Sequence, residues 1–196
     1  MNVNVLPKGY EVVKKIDLLH NGHEAIIVNV LSLILMIVMI IIGCFISGAA
    51  KIEELLLAEN ATELNGLIIK LFVAVVLCGI YIVAHEAVHG ICMKVLCKNC
   101  KVNFGYKVIY AYAGSNSFFD KKSYILIAIA PLAIFGILLA AVCSAVPTEW
   151  FWPVYFVQIL NVSGAAGDIY VFSIIMIMSK DILVRDTGVS MTVYGK

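Results

Sequence analysis

Three residues of one short segment have the types and the spacing of a metal-dependent hydrolytic site. Residues 85–89 read His-Glu-Ala-Val-His. On an α-helix, residues four apart lie on the same face, so His85 and His89 can point at one ion while Glu86 stands beside it. Neutral imidazoles suit zinc, and an adjacent carboxylate can accept a proton from a water molecule that zinc acidifies. The segment predicts His85 and His89 as zinc ligands and Glu86 as the catalytic base.

A catalytic zinc site needs a third protein ligand, and Asp168 is the candidate that the sequence offers. It is the only acid within the last apolar interval of the chain. That interval begins at Trp150, and the interval that contains His85 begins at Gly66. Counted from these starts at about 1.5 Å per helical residue, the depths of Asp168 and His85 agree to within a turn or so. The sequence therefore predicts Asp168 at the level of the histidines.

Other polar residues near these intervals have more than one interpretation. Asn161, two turns before Asp168, could hydrogen-bond a substrate carbonyl or oxyanion, or it could link two helices. The small residues 163–167 would allow close helix packing or local unwinding. His20 and His23 precede the first apolar interval, and we interpret them as solvated or interfacial side chains.

The composition sets the environment of these residues. Of the 196 residues, 62% are hydrophobic and 14% charged, and the mean hydropathy is +1.00. An average soluble domain is about 45–50% apolar and about 25% charged, so a water-soluble globule is excluded. The net charge of +1 lacks the basic excess that binding to nucleic acid requires. Most of the surface is expected to face lipid.

Four charge-poor intervals are long enough for a bilayer core, which needs about 20 apolar residues. They cover residues of about 25–50, 66–97, 123–148 and 150–179 in a single polytopic domain. Of the 14 basic residues, all but Lys51 and Lys70 fall on one side of this arrangement. The positive-inside rule then places both termini in the cytoplasm. A removable signal peptide is not expected, because acids and bases are mixed throughout the segment that precedes the first interval.

The connection between the second and third intervals has a different pattern. Residues 101–112 read KVNFGYKVIYAY, in which larger apolar residues alternate with smaller or polar ones, and residues 113–117 carry a turn signal. The pattern predicts a short membrane-associated β-hairpin in an otherwise all-α integral membrane fold. Its edge could hold an extended polypeptide, or its aromatic residues could form an interfacial belt.

The six cysteines show no extracellular disulfide framework. Cys97 and Cys100 form a CxxC, which could supply two of the four ligands of a structural metal site, but no second Cys/His pair follows. We therefore expect reduced thiols without a structural role. Cys44 and Cys143 fall near the same predicted membrane face and could meet.

These motifs together resemble the site-2 protease superfamily of intramembrane zinc metalloproteases. The resemblance rests on HEAVHG (85–90), the strand-like connection, IAIAPLAIF (127–135) and the Asn161…Asp168 pair. The chain looks most like the small bacterial relatives labelled "putative zincin peptidase". The resemblance implies zinc ligation by His85, His89 and Asp168, with Glu86 as base. The chain departs from the superfamily pattern at Gly164, which stands in place of Pro, and at Ile169, which stands in place of Gly.

The residues and the resemblance favour an intramembrane zinc endopeptidase with one Zn²⁺ per chain. It would cleave transmembrane or membrane-adjacent segments near the cytoplasmic face. A metal-binding membrane transporter and a non-catalytic membrane interaction protein remain alternatives. The expected partners are membrane lipid and a polypeptide substrate, not nucleic acid, and the expected location is a bacterial cell membrane.

Overall fold

The computed structural model describes residues 2–18, 22–47, 60–107, 110–188 and 190–196. Within these ranges the helices are α1 (Gly22–Ser47), α2 (Ala61–Leu96), α3 (Lys121–Ala145), α4 (Phe151–Gly164) and α5 (Ala166–Ile177), with a 3-10 turn at Thr148–Trp150. The strands are β1 (Glu11–Ile16), β2 (Val102–Lys107), β3 (Tyr110–Ser115), β4 (Phe119–Asp120), β5 (Ile182–Asp186) and β6 (Met191–Gly195). The fold is therefore mostly helical, with a small β component.

Among the described residues, four helical segments are long and apolar enough to cross a bilayer. They are α1, α2, α3 and the stretch Thr148–Ile177, which contains α4 and α5. With 26 residues, α1 is about 39 Å long and exceeds the hydrocarbon core of about 30 Å. Large apolar side chains on α1 are exposed, such as Ile34 at 52% and Phe45 at 85%. Such a surface is compatible with lipid contact.

Local residue chemistry sets the ends of two of these helices. Asn60 caps α2, because its Oδ1 accepts the Glu63 N–H at 2.9 Å and its Nδ2 donates to the Glu63 carboxylate at 2.7 Å. Asp120 caps α3 by accepting the Ser123 N–H at 2.9 Å. The small-residue run divides the last segment, since α4 ends at Gly164 and α5 begins at Ala166. The local unwinding considered from the sequence is thus a one-residue break.

A four-stranded antiparallel sheet, in the order β1-β6-β5-β4, was not predicted from the sequence. The all-α description is therefore corrected to mostly helical with a small sheet. Val184 pairs with Val193 in this sheet, and both side chains are fully buried beside Phe119. β5 and β6 are short apolar runs joined by a turn that contains Gly188 at φ +78°, a conformation that favours glycine.

The predicted hairpin is present, but the segment predicted as its turn begins within a strand. β2 pairs antiparallel with β3 from Val102↔Ser115 to Lys107↔Tyr110. Residues 108 and 109, between the two strands, lie outside the described residues. The segment 113–117, predicted as the turn, instead begins inside β3. Gly90 of α2 faces this hairpin, because a Cβ atom there would overlap the ring of Phe104.

The chain divides into two compact units. The first contains the described residues of 1–30, 83–131 and 166–196, including both sheets. Its core holds Met93, Ile127 and Ile175 with the buried sheet residues. The second contains the described residues of 31–82 and 132–165, and its core is the aromatic cluster of Phe151, Trp152 and Tyr155.

The cysteine predictions have different outcomes. Cys97 and Cys100 are joined by a disulfide, which corrects the prediction of reduced thiols. The turn after α2 brings their Cα atoms to 5.4 Å, within the usual range for a disulfide. Cys44 and Cys143 are free, and both pack against the aromatic cluster of the second unit.

Candidate metal centre

The two histidines of the HEAVH segment lie one turn apart on α2, as the spacing predicts. Their ring centroids are 4.9 Å apart, and the side chains are buried, with 8% and 9% exposure. Asp168 lies in the first turn of α5, directly after the break that follows α4. The structure therefore brings together His85, His89 and Asp168 from two distant parts of the chain.

The carboxylate of Asp168 faces both imidazoles. His85 Nε2 lies 3.2 Å from Asp168 Oδ2, and His89 Nε2 lies 3.5 Å from Asp168 Oδ1. One potential ligand atom of each residue lies within 4.8 Å of the others. Two imidazole nitrogens and one carboxylate form the donor set of many catalytic zinc sites. The three side chains thus have the chemistry and the proximity to hold one divalent ion.

The orientation of His89 is fixed by a backbone carbonyl of α3. His89 Nδ1 lies 2.9 Å from the oxygen of Ile127, which can only accept, so Nδ1 carries the hydrogen. In the neutral ring Nε2 then presents a lone pair toward the Asp168 carboxylate, and the two repel each other. A cation between them would replace this repulsion with attraction to both. A metal-bound histidine commonly donates its other N–H to a carbonyl in this way.

Pro131 explains why the Ile127 carbonyl is available. In an α-helix this carbonyl would accept the N–H of residue 131, but proline has no N–H. Pro131 lies inside α3, so the carbonyl four residues earlier lacks its helical donor and accepts from His89 instead. The IAIAPLAIF segment therefore contributes an orienting acceptor to the site.

Glu86 lies between the candidate ligands and the hairpin. Its Oε2 accepts the backbone N–H of Ala113 in β3 at 2.8 Å. Glu86, His89 and Asp168 line one cavity of about 230 Å³. The side chain predicted as the base is thus adjacent to the candidate metal ligands and reaches space that a substrate could enter.

Asn161 lies in the second unit, where it is fully buried in α4. Its Oδ1 accepts the Tyr81 hydroxyl at 3.0 Å, and its Nδ2 donates to the Leu132 carbonyl at 3.4 Å. These contacts agree with the interhelical interpretation, and a substrate role for Asn161 stays a prediction. His23 is exposed, and His20 lies outside the described residues.

The cavity residues that the sequence analysis did not single out include Tyr124 and Asp186. The Tyr124 hydroxyl donates to Asp186 Oδ2 at 2.5 Å. The available signal was the acid that ends the apolar run ILVRD, just before the Thr-Gly turn. It was overlooked because the strands of this segment were not predicted.

Comparison with known proteins gives a family match. The profile of the family described as "putative zincin peptidase" matches residues 76–183, more than half of the chain, and this range contains the HEAVH segment and Asp168. No curated protein and no solved structure matches. The family suggests a zinc peptidase, which agrees with the donor set of the His-His-Asp cluster. The chain belongs to the family of putative zincin peptidases.

Proposed function

We propose that this protein is an intramembrane zinc endopeptidase of the site-2 protease type. The observation that carries the proposal is the placement of Glu86 in the same cavity as His89 and Asp168, two members of the His-His-Asp cluster. Buried ionisable groups in an apolar helix are costly, and they usually mark a functional site. A set that combines metal ligands with an adjacent base favours hydrolysis over a structural role.

His85, His89 and Asp168 would hold the zinc ion, leaving a position for water or substrate. When bound, zinc supplies a Lewis acid that polarises a peptide carbonyl and acidifies water. The Ile127 carbonyl keeps His89 in the tautomer that ligation needs. Asp168 contributes a negative charge that offsets part of the charge of the ion.

Glu86 would perform the proton transfers. It accepts a proton from the attacking water as the oxygen–carbon bond forms, and it delivers that proton to the amine as the carbon–nitrogen bond breaks. The Ala113 N–H holds one carboxylate oxygen in place, which leaves the other oxygen for the water. The hairpin thus positions the base relative to the ligands on α2 and α5.

The substrate would be a transmembrane or membrane-adjacent polypeptide segment near the cytoplasmic face. A peptide bond inside a helix is shielded by its own hydrogen bonds, so the segment must unwind before cleavage. The exposed apolar helices support a multi-pass location in the cell membrane, with both termini inside by the distribution of lysines.

The decisive experiment compares wild type with Glu86→Gln for zinc content and for cleavage of a panel of membrane-segment peptides in detergent. We expect about one zinc per chain in both proteins, with cleavage reduced by at least about 100-fold in Glu86→Gln. Glu149→Gln is the matched control, because Glu149 is exposed in the 3-10 turn outside the unit that contains the site.

Three outcomes would contradict the proposal. Cleavage by Glu86→Gln at the wild-type rate would remove the proposed base. Zinc-binding wild type that cleaves no peptide of the panel would favour the non-catalytic interaction protein. Zinc uptake into proteoliposomes that depends on His85 would favour a transporter.

A further inference from the structure

One wall of the cavity carries an acid that the proposed chemistry does not use. The lining includes the charged or titratable groups Glu86, His89, Asp168 and Asp186. The first three belong to the ligand set and the base. Asp186, at the end of β5, remains without a role in hydrolysis.

The hydrogen bonds of Asp186 leave it as an acceptor. Its Oδ2 accepts the Tyr124 hydroxyl at 2.5 Å, and its Oδ1 accepts the Gly188 N–H at 2.8 Å. An ionised carboxylate has about four lone-pair sites, of which these two donors use two. Tyr124 has committed its only hydrogen, so its oxygen also presents lone pairs. This wall of the cavity therefore suits a ligand that donates hydrogen bonds.

The charge of the cavity points to the same type of ligand. None of the described residues that line it is Lys or Arg, and Asp186 forms no ion pair among the described residues. Burial raises the pKa of the Asp186 carboxyl, because loss of hydration disfavours the ionised form by more than the Tyr124 and Gly188 hydrogen bonds and nearby His89 favour it. A positively charged ligand group would offset that cost.

The remaining lining sets the size and shape of the ligand group. The volume of about 230 Å³ is smaller than the about 300–1,000 Å³ of typical small-molecule sites, so the cavity suits one side chain of a longer polymer. Ile16, Met93 and Met191 line it and can contact an aliphatic stem. Lys and Arg combine such a stem with a cationic donor at its end.

We propose that Asp186 is a specificity-determining residue that selects substrates with a Lys or Arg side chain next to the scissile bond. This inference rests on the proposed peptidase function. It fits a substrate cut near the cytoplasmic face, where Lys and Arg are enriched beside transmembrane segments.

Binding and cleavage of one peptide series test this assignment. Lysine, norleucine or glutamate is placed at each position of a fluorescent nine-residue peptide in turn, because norleucine keeps the stem of lysine without its charge. Binding is measured by fluorescence anisotropy on zinc-loaded Glu86→Gln protein, so that hydrolysis is not required. At one position we expect lysine to bind about tenfold more tightly than norleucine, and glutamate to bind more weakly than both.

The variant Asp186→Asn, made in the Glu86→Gln protein, should reduce the lysine-to-norleucine ratio to about one. Tyr124→Phe keeps the carboxylate and removes one acceptor oxygen of the wall, so it should lower the ratio less than Asp186→Asn does, which separates loss of charge from loss of the fold. Asp181→Asn, at an exposed position just before β5, is the matched control and should leave the ratio unchanged. Equal binding of lysine and norleucine at every position, or a preference that survives Asp186→Asn, would overturn the assignment.

Cleavage by wild type separates this inference from the proposed function. A protein that cleaves norleucine and lysine peptides equally well remains a peptidase but has no Asp186 selectivity. A protein that binds lysine peptides through Asp186 and cleaves none of them keeps the cation site and loses the proposed activity.

Discussion

Two of the aspartates in the first unit, Asp168 and Asp186, have different surroundings. Asp168 faces two imidazole nitrogens, whereas Asp186 faces a hydroxyl and a backbone amide. A carboxylate opposite two imidazoles is suited to sharing a metal ion with them. A carboxylate held by neutral donors keeps its charge uncompensated. The same residue type can therefore serve as a ligand at one position and as a recognition group at the other.

Replacement of Asp168 by Ala tests the ligand assignment. Loss of one of three protein ligands should weaken zinc binding by more than the about 10–100-fold that follows loss of an outer hydrogen-bond partner. Zinc content after dialysis should fall from about one per chain to a small fraction in Asp168→Ala. Asp181→Ala, at an exposed position, should retain full content. Full zinc retention in Asp168→Ala would show that the third ligand is a different residue.

The buried Asp186 carboxyl should make stability depend on pH. Its pKa is raised by burial despite the hydrogen bonds from Tyr124 and Gly188. An acid whose pKa is higher in the folded state stabilises the fold below its unfolded pKa of about 3.9, and this contribution is lost as pH rises through the folded pKa. Wild type should therefore lose stability relative to Asp186→Asn as pH rises from about 4 through the folded pKa.

Thermal unfolding of both proteins in one detergent, at several pH values, measures this difference. The Tm of Asp186→Asn minus the Tm of wild type should increase with pH. Asp181→Asn should show no such trend. A Tm difference for Asp186→Asn that stays constant, or that is largest at low pH, would mean that burial does not raise the pKa of the Asp186 carboxyl.

At the scale of elements, three helices meet at the candidate centre. α2 supplies the histidines, α5 supplies Asp168, and α3 supplies the Ile127 carbonyl that Pro131 releases from helical bonding. A helix-interior proline costs about 3 kcal/mol relative to alanine. Pro131 lies four residues after Ile127, so the same residue that weakens the helix frees the carbonyl that orients His89.

Pro131→Ala should therefore change metal binding without touching a ligand. The alanine N–H would compete with His89 for the Ile127 carbonyl, so zinc affinity should fall by about 10–100-fold. The Tm of the metal-free protein should rise or stay unchanged, because a helical hydrogen bond is restored. Pro153→Ala, in the first turn of α4, is the control and should not alter zinc affinity. Unchanged affinity in Pro131→Ala would exclude the orienting role.

The sequence predicted the helices better than the sheet for a physical reason. A membrane span needs about 20 apolar residues, and such a long run is easy to detect in the sequences of α1 and α3. β1, β5 and β6 have only five or six residues each. They lie in the terminal segments, whose basic residues were used to predict orientation and whose strand pattern is too short to stand out. The pairing of β1 with β6 depends on contacts between the two ends of the chain. The strand period of the hairpin was readable, but the position of its turn was not.

In the candidate site too, residues with a local sequence signal were predicted, whereas those that depend on packing were not. His85, Glu86 and His89 are visible because one helix fixes their spacing, and Asp168 is visible because an acid in an apolar interval needs a partner. The cavity contributions of Tyr124 and Asp186 depend on how β5 packs, which the sequence alone did not show. Pro131 indicates a free carbonyl at Ile127, but the side chain that this carbonyl accepts from depends on how α2 and α3 pack.

At the scale of the whole molecule, two observations differ on the side of a membrane that the proposed site would face. The distribution of lysines predicts that the α2–β2 connection and both termini lie in the cytoplasm. That connection holds the Cys97–Cys100 disulfide, and disulfides persist mainly in oxidising compartments. Orientation therefore decides both the source of substrates and the redox environment of this connection.

Reporter fusions measure the orientation of the full chain. We expect green fluorescent protein fused after Lys196 to fluoresce and alkaline phosphatase at the same position to be inactive, because the phosphatase folds only in an oxidising compartment. Fusions after Thr148, in the turn between α3 and α4, should give the opposite pair of results. The reverse pattern at both positions would show that the protein has the opposite orientation in the membrane. The site would then act on segments at the outer face, in a compartment where the Cys97–Cys100 disulfide is stable.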